Sequence, residues 1–492
     1  MRREILRAQA TKSKMSMIAL MAGLLLASAP LLVQAAQITP NPNPVSSTID
    51  IVNDPFAVNN DNPFTNAGTI NINSSSTLTN SVGAALTNGE DEVNSDDVRA
   101  TLNNAGRLDN YGVLSARNLA SLTNTGTLNN FAGAGLYTIG GGRLTNTVGG
   151  IVNNYGIIIN SDGGSTTNAG TLNNFDGAAL YNSLSSSSLT NTGTLNNFGG
   201  ALMFFSDSSL KNAMGGTVNN YGMMEFSLNL FNDGTFNNYG SFRIGSASAL
   251  VSSVGATLRN SGVLSLELAG LTNAGTLINT GLITDSCDFC PPFRNYVQNS
   301  GTVINTGSIE LGGYTQTAGQ TINNGTLTAM NVDIQGGSLR GTGTITAPVM
   351  TLSSGAILSP GDATTLGRFT INGDLQSSGN LMFRIGGLNA GQFDVLAIHG
   401  MAFLNGGTVG FNFVNFIPVA GNSWDFLYAG AISGWETLQF NLGGLSPNLG
   451  YSFNYSNGVE TLRVVSVPEP SSLLLSVLGL GALAFWRRLK GV

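Results

Sequence analysis

Few side chains here are equipped for chemistry. Among 492 residues stand two cysteines and one histidine. Cys287-Asp288-Phe289-Cys290 has the spacing of a redox dithiol, but no strand-helix-strand pattern flanks it. It lies in DSCDFCPPFRN, an insertion between two repeats. In a chain that leaves the cytoplasm the pair is expected to form a local disulfide that pins this loop. His399 closes the apolar run Phe393–Ile398, and no Gly-x-Ser-x-Gly or His-Glu-x-x-His occurs, so neither a triad nor a zinc helix is expected. The densest acids, Glu90-Asp91-Glu92 with Asp96 and Asp97, share one polar insertion that reads as a solvated loop rather than a calcium clamp. Cleaving a glycan takes acids that converge on one groove, and the repeats are nearly free of them. No catalysis, metal or cofactor is expected.

Six aromatic residues have a regular setting: Phe131, Tyr155, Phe175, Phe198, Tyr221 and Tyr239 each follow an Asn-Asn pair. They are expected to form a column. Packing between repeats is the first reading, and stacking against sugar faces is the second if the column meets solvent.

The elements that carry these residues are strands. Gly contributes 65 residues, and Asn is as prominent in the repeats; both disfavour helix and favour turns. Hydrophobic residues make up 42% of the chain, enough to bury a core. Charged residues are only 10%, with a net charge of −7 and no basic cluster in the body, which argues against nucleic acid as a partner.

One phrase recurs: LTNTGTLNNF at Leu122–Phe131 and Leu189–Phe198, TTNAGTLNNF at Thr166–Phe175 and LFNDGTFNNY at Leu230–Tyr239. The Asn-Asn pairs begin at Asn103, Asn129, Asn153, Asn173, Asn196, Asn219 and Asn237, in steps of 26, 24, 20, 23, 23 and 18 residues. Thr-Leu-Asn alternates polar and apolar, as a half-buried strand does, and Asn-x-Gly and Asn-Asn suit turns that tolerate positive φ. Each repeat is therefore expected to be strand, turn, strand, turn. So small a unit buries its leucine only against neighbours, with Leu128, Leu172, Leu195 and Phe236 in one column. Equivalent asparagines should bond along the stack, and some twelve turns at ~4.8 Å would span roughly 55–60 Å.

The expected fold is all-β: a right-handed parallel β-helix or solenoid with a β-rich cap, plus a signal helix and a C-terminal transmembrane helix. The expected divisions are 1–35 signal peptide, 36–64 N-terminal segment, 65–335 Asn/Gly-rich repeats, 336–413 a second repeat type, 414–465 cap and 466–492 sorting signal.

Both ends look like addresses. Arg2, Arg3, Arg7, Lys12 and Lys14 precede the apolar run Met17–Val33, and small residues follow, so signal cleavage is expected after Ala35 or Ala36. At the other end the apolar block Ser471–Trp486 spans only roughly 24 Å as a helix, marginal for a ~30 Å bilayer core. Arg487, Arg488 and Lys490 follow and should stay cytoplasmic. Just before the block, Val467-Pro468-Glu469-Pro470 is held extended by its prolines.

That arrangement of triplet, terminal apolar helix and basic tail resembles the PEP-CTERM protein-sorting domain over about residues 466–492. The resemblance implies a transient inner-membrane stage, recognition by an exosortase-type transpeptidase, removal of the helix near the triplet, and delivery to the cell surface or extracellular polymer. Gly337–Phe413, with Leu358-Ser359-Pro360-Gly361 and Phe393-Asp394-Val395-Leu396, is similar to the passenger-associated repeat of autotransporter adhesins. No outer-membrane barrel pattern follows it, so export is expected to rest on the sorting signal. The expectation is an exported structural or adhesive surface or biofilm-matrix solenoid, with extracellular polysaccharide as a further partner. The alternative is a secreted carbohydrate-active β-helix enzyme, a polysaccharide lyase or hydrolase.

Overall fold

A computed structural model describes residues 35–467, apart from 45, 62, 74, 89–99, 185, 246–247, 268 and 286–295, together with Leu480 and Trp486. Its body is a parallel β-solenoid of about 14 turns, continued by longer turns and closed by an antiparallel cap.

One turn illustrates the design. Ser121–Asn124, Thr127–Asn130 and Gly135–Ile139 are three short strands joined by corners, and we term the faces they begin A, B and C. Each strand pairs in parallel with its equivalent one turn on, so Leu128 meets Val152 and Asn130 meets Asn154. The expected two-strand unit is therefore corrected to three. A recurrent phrase such as LTNTGTLNNF holds only faces A and B, and face C lies in the variable residues that follow. Asn103 is corrected with it: Asn103 pairs with Thr123 on face A, whereas the face-B partner of Asn129 is Asp109. The regular step into Asn129 is thus 20 residues, from 109 to 129, and not 26.

Within each strand the second and fourth residues point inward. On face B the second position is a continuous column in which Leu128, Val152, Leu172, Leu195, Val218 and Phe236 follow one another, all 0% exposed. The expected column is present, with Val152 and Val218 between its named members. Burying such a side chain stabilises the stack by roughly 1.5–3 kcal/mol.

The fourth position is asparagine because it sits where the chain turns and can satisfy two layers. Asn130 donates to the Asn154 side chain at 2.8 Å and to the Ile157 carbonyl, which opens face C of the next turn, at 3.0 Å. On face B this ladder runs unbroken from Asn59 to Asn323, every amide-to-amide bond between 2.7 and 2.9 Å. A second ladder on face A runs from Asn104 to Asn232, then meets Ser252. On face C, asparagine gives way to Phe205 and Phe226, stacked at 4.3 Å.

The glycines of the Asn-x-Gly turns serve a purpose other than the expected one. Gly126 and Gly193 do not have positive φ. A Cβ on Gly126 would lie 2.1 Å from the Gly106 carbonyl, and one on Gly193 2.2 Å from that of Gly170. Close stacking of turns, rather than backbone handedness, demands glycine there.

From residue 308 strands begin to lengthen and bend around corners, as in Ser308–Gln316, Thr326–Gly341 and Thr344–Pro360. At the end of the stack, Ser423–Tyr428 and Leu449–Ser456 flank Val459–Ser466 in antiparallel pairing. This covers a parallel edge that would otherwise be open to further strands. Trp424 is buried beneath it and donates its indole N–H to the Gly387 carbonyl at 2.7 Å.

Candidate functional site

The three outer faces differ in chemistry. Face A is rich in hydroxyls, with Ser121, Ser165, Ser188 and Ser209 at its first outward position. On face B the outward asparagines form another ladder, in which Asn153 donates to Asn129, Asn173 to Asn153, Asn196 to Asn173, Asn219 to Asn196 and Asn237 to Asn219, all at 2.9–3.0 Å. These bonds run toward the N-terminus, whereas the buried face-B ladder runs the opposite way. Asn129 is buried, but Asn153, Asn173, Asn196, Asn219 and Asn237 are half-buried, which leaves part of their hydrogen-bonding capacity to solvent or a ligand.

At the corner between faces B and C lies the aromatic column. It begins one turn earlier than the Asn-Asn pairs imply, at Tyr111, which follows Asp-Asn rather than Asn-Asn. Tyr111 stacks on Phe131 at 4.2 Å, Tyr155 on Phe175 at 4.4 Å, Phe175 on Phe198 at 5.0 Å and Tyr221 on Tyr239 at 4.6 Å. The wider steps, 6.1 Å from Phe131 to Tyr155 and 6.3 Å from Phe198 to Tyr221, fall where a long Phe turn is followed by a short Tyr-Gly turn. The column is on the surface, with Tyr221 and Tyr239 each 47% exposed. Because the rings are within 12° of parallel, neighbouring rings cover one another's faces and solvent meets mainly edges and hydroxyls. Sugar stacking needs an open ring face, so the column does not supply that platform along its length.

Next to this column, face C is apolar over its middle turns, between Ser115 and Glu225. Val113, Ile157, Leu202 and Met223 occupy its first outward position and Tyr137, Ile159, Tyr181 and Phe204 its second. The Tyr137 ring lies across Gly135, where a Cβ would fall 2.4 Å from it.

Of the places where charge gathers, two lie in the C-terminal half. Arg384 and the fully buried Asp394 form an ion pair at 2.8 Å, although sequence reading marked Asp394 only as part of a repeat. Arg384 also donates to the carbonyls of Asp362 and Thr365, at 2.5 and 2.8 Å, and Asp394 accepts from the Gly367 and Arg384 amides. Burial pushes the Asp394 carboxyl up, opposed by Arg384 and those amides. The arrangement fastens the loop after Leu358-Ser359-Pro360-Gly361 to the stack. Asp362 itself is held below the usual carboxylate range, chiefly by the Thr364 amide. Elsewhere, a groove of about 580 Å³ holds Asp285 and Glu310 beside Thr328, Met330 and Asn372. Glu310 accepts from the Ser308 hydroxyl at 2.9 Å.

His399 is exposed, and its backbone amide donates to the Ile371 carbonyl at 2.9 Å. Ala35 and Ala36 are exposed at the start of the coil, and the Ala36 carbonyl accepts from the Val58 amide. Val467 is half-exposed and donates to the Asn448 carbonyl. Cys287, Cys290, the acids from Glu90 to Asp97, Pro468-Glu469-Pro470, and Arg487, Arg488 and Lys490 lie outside the described residues. Among those described, no helix is long and apolar enough to cross a membrane, and no cluster of three potential metal ligands occurs.

Fold and surface define a repetitive β-solenoid whose outer faces are uncharged over long stretches. Residues 466–488 match the PEP-CTERM protein-sorting motif, which marks the chain as an exported protein sorted by an exosortase-type enzyme. No curated protein matches the chain. Among solved structures, the Haemophilus influenzae Hap adhesin is similar at 12% identity and a TM-score of 0.23, over 79% of this chain and 64% of that one.

Proposed function

We propose that this chain is a non-catalytic structural and adhesive rod of the cell surface or extracellular matrix. An exosortase-type transpeptidase frees it from an inner-membrane stage by cutting near Val467-Pro468-Glu469-Pro470. The supporting observation is the pairing of that C-terminal motif with a continuous, amide-laddered stack. Such a body holds its outer groups at fixed spacing. Faces A and B repeat hydroxyls and amides once per ~4.8 Å turn, a pattern suited to many weak hydrogen bonds with an extracellular polysaccharide. Mass spectrometry of the exported chain tests the sorting step: termini near Ala36 and near Pro468–Pro470 are expected, and a retained Arg487–Val492 tail refutes it. Retention on immobilised glycan tests adhesion, with Asn173→Asp and Asn196→Asp on face B expected to weaken it.

A second reading, a carbohydrate-active enzyme, is favoured by the groove that holds Asp285 and Glu310. New reducing ends or unsaturated products that vanish in Glu310→Gln would establish it over the rod.

A further inference from the structure

We infer that the apolar plateau of face C, between the turns of Tyr111 and Tyr239, docks a second copy of this chain side by side. The inference rests on the reading of the chain as an exported rod and names one of its partners. Six residues outline the plateau: Tyr137, Ile157, Ile159, Tyr181, Leu202 and Phe204. They occupy two outward columns in one-to-one register, with the corner aromatic stack as a third. Ile157 is 41% exposed and Met223, at the same column's end, 42%.

Three properties favour a copy of the same chain over other occupants. First, size: the corner column is aromatic over seven turns, the first outward column is apolar over six (Val113 to Met223) and the second over four (Tyr137 to Phe204), which at about 4.8 Å per turn and about 7 Å per column makes roughly 550 Å². That is at the upper end of the largest patches of monomers and in the range of a weak, reversible interface, which buries under about 600 Å² per partner. Second, shape: the register across these turns has no bulge, and Tyr137 lies flat over Gly135, so the face is straight and low. A straight apolar face complements itself under a two-fold axis. Third, charge: the outward columns carry none from Tyr137 to Phe204. At one end Arg243 pairs with Glu225 at 3.1 Å and with Glu267 at 2.5 Å. Antiparallel copies place these clusters at opposite ends, whereas parallel copies juxtapose them. Antiparallel pairing follows. A glycan would want hydrogen-bonding partners, which faces A and B offer and this face largely lacks.

The test is sedimentation velocity of the exported chain from about 1 to 100 μM, the range in which an interface of this size without charge pairs associates. A concentration-dependent dimer is expected. Ile157→Glu with Leu202→Glu should weaken it at least about 100-fold, because each copy would bury unpaired carboxylates. The milder Ile157→Ser with Leu202→Thr should weaken it about 10-fold and guards against a folding defect, which circular dichroism monitors. Val148→Glu with Met214→Glu, at turn tips 84% and 85% exposed on another corner, should leave it unchanged. A chain monomeric at 100 μM, a dimer indifferent to the face-C substitutions, or equal loss in the Val148/Met214 variant overturns the inference. Glycan retention abolished by the face-C substitutions in a monomeric chain overturns it in favour of a glycan face. A monomer with correctly processed termini refutes the pairing alone, and a retained C-terminal tail refutes the sorting reading alone.

Discussion

Adjacent asparagines in one repeat offer a direct measure of what the inner ladder contributes. Asn197 is 0% exposed; its side-chain oxygen accepts from Asn174 at 2.9 Å, and its amide donates to the Asn220 side chain at 2.8 Å and the Met223 carbonyl at 2.9 Å. Asn196, the residue before it, makes two comparable amide bonds, to Asn173 and from Asn219, but on the outer surface. Each buried bond contributes about 1 kcal/mol net, and an orphaned buried partner costs a further 1–3 kcal/mol. Asn197→Ala removes three such bonds and leaves the Asn220 oxygen without its ladder donor, so a loss of about 4 kcal/mol is expected. Water replaces the outer bonds, so Asn196→Ala should cost under about 1 kcal/mol. A solenoid opens locally, so amide hydrogen exchange across the turns of Asn174, Asn197 and Asn220 is the suitable assay. Faster exchange there in Asn197→Ala, with the turns around Leu339 unchanged, is the expected result. Equal effects of the two substitutions would refute the argument that burial gives the ladder its strength.

Other expectations concern the C-terminal half. Arg384→Leu leaves the buried Asp394 carboxylate without its cation and should cost about 3–5 kcal/mol, while the double variant Arg384→Leu with Asp394→Leu recovers much of it. Proteolysis within 360–367 reads the released loop, and cutting that does not differ between the single and double variants would contradict this. Burial pushes the Glu460 carboxyl up to about 7. The folded cap therefore favours its protonated form; that contribution is complete below the ordinary carboxylate value of about 4.5 and is lost as pH rises through about 7. Melting of the cap should fall across that window in the wild-type chain but not in Glu460→Gln, and parallel pH profiles for the two would count against it.

Much of the body was legible as sequence because each element is short and nearly identical to the next. Alternation with a period of two sends Leu128 and Asn130 inward together, and a slip of one residue would expose both, so pattern alone specifies register. The sorting motif is also local, a peptide read in its own linear order. What escaped the sequence depended on where the chain turns. LTNTGTLNNF carries faces A and B but not C, so the third strand, the placement of Asn103 on face A and the apolar plateau emerged only when turns were stacked. The exposure of Tyr155 and Tyr221 had the same origin: a corner residue faces in or out according to the geometry of the turn, which their shared Asn-Asn context does not encode. Arg384 and Asp394 are ten residues apart, and only the folded coil brings the loop from Pro360 to Gly367 against both. Sequence thus determined which residues repeat and which face inward, because both are consequences of short-range periodicity; tertiary structure decided which outer columns become neighbours, because that follows from the closing of each turn on the last.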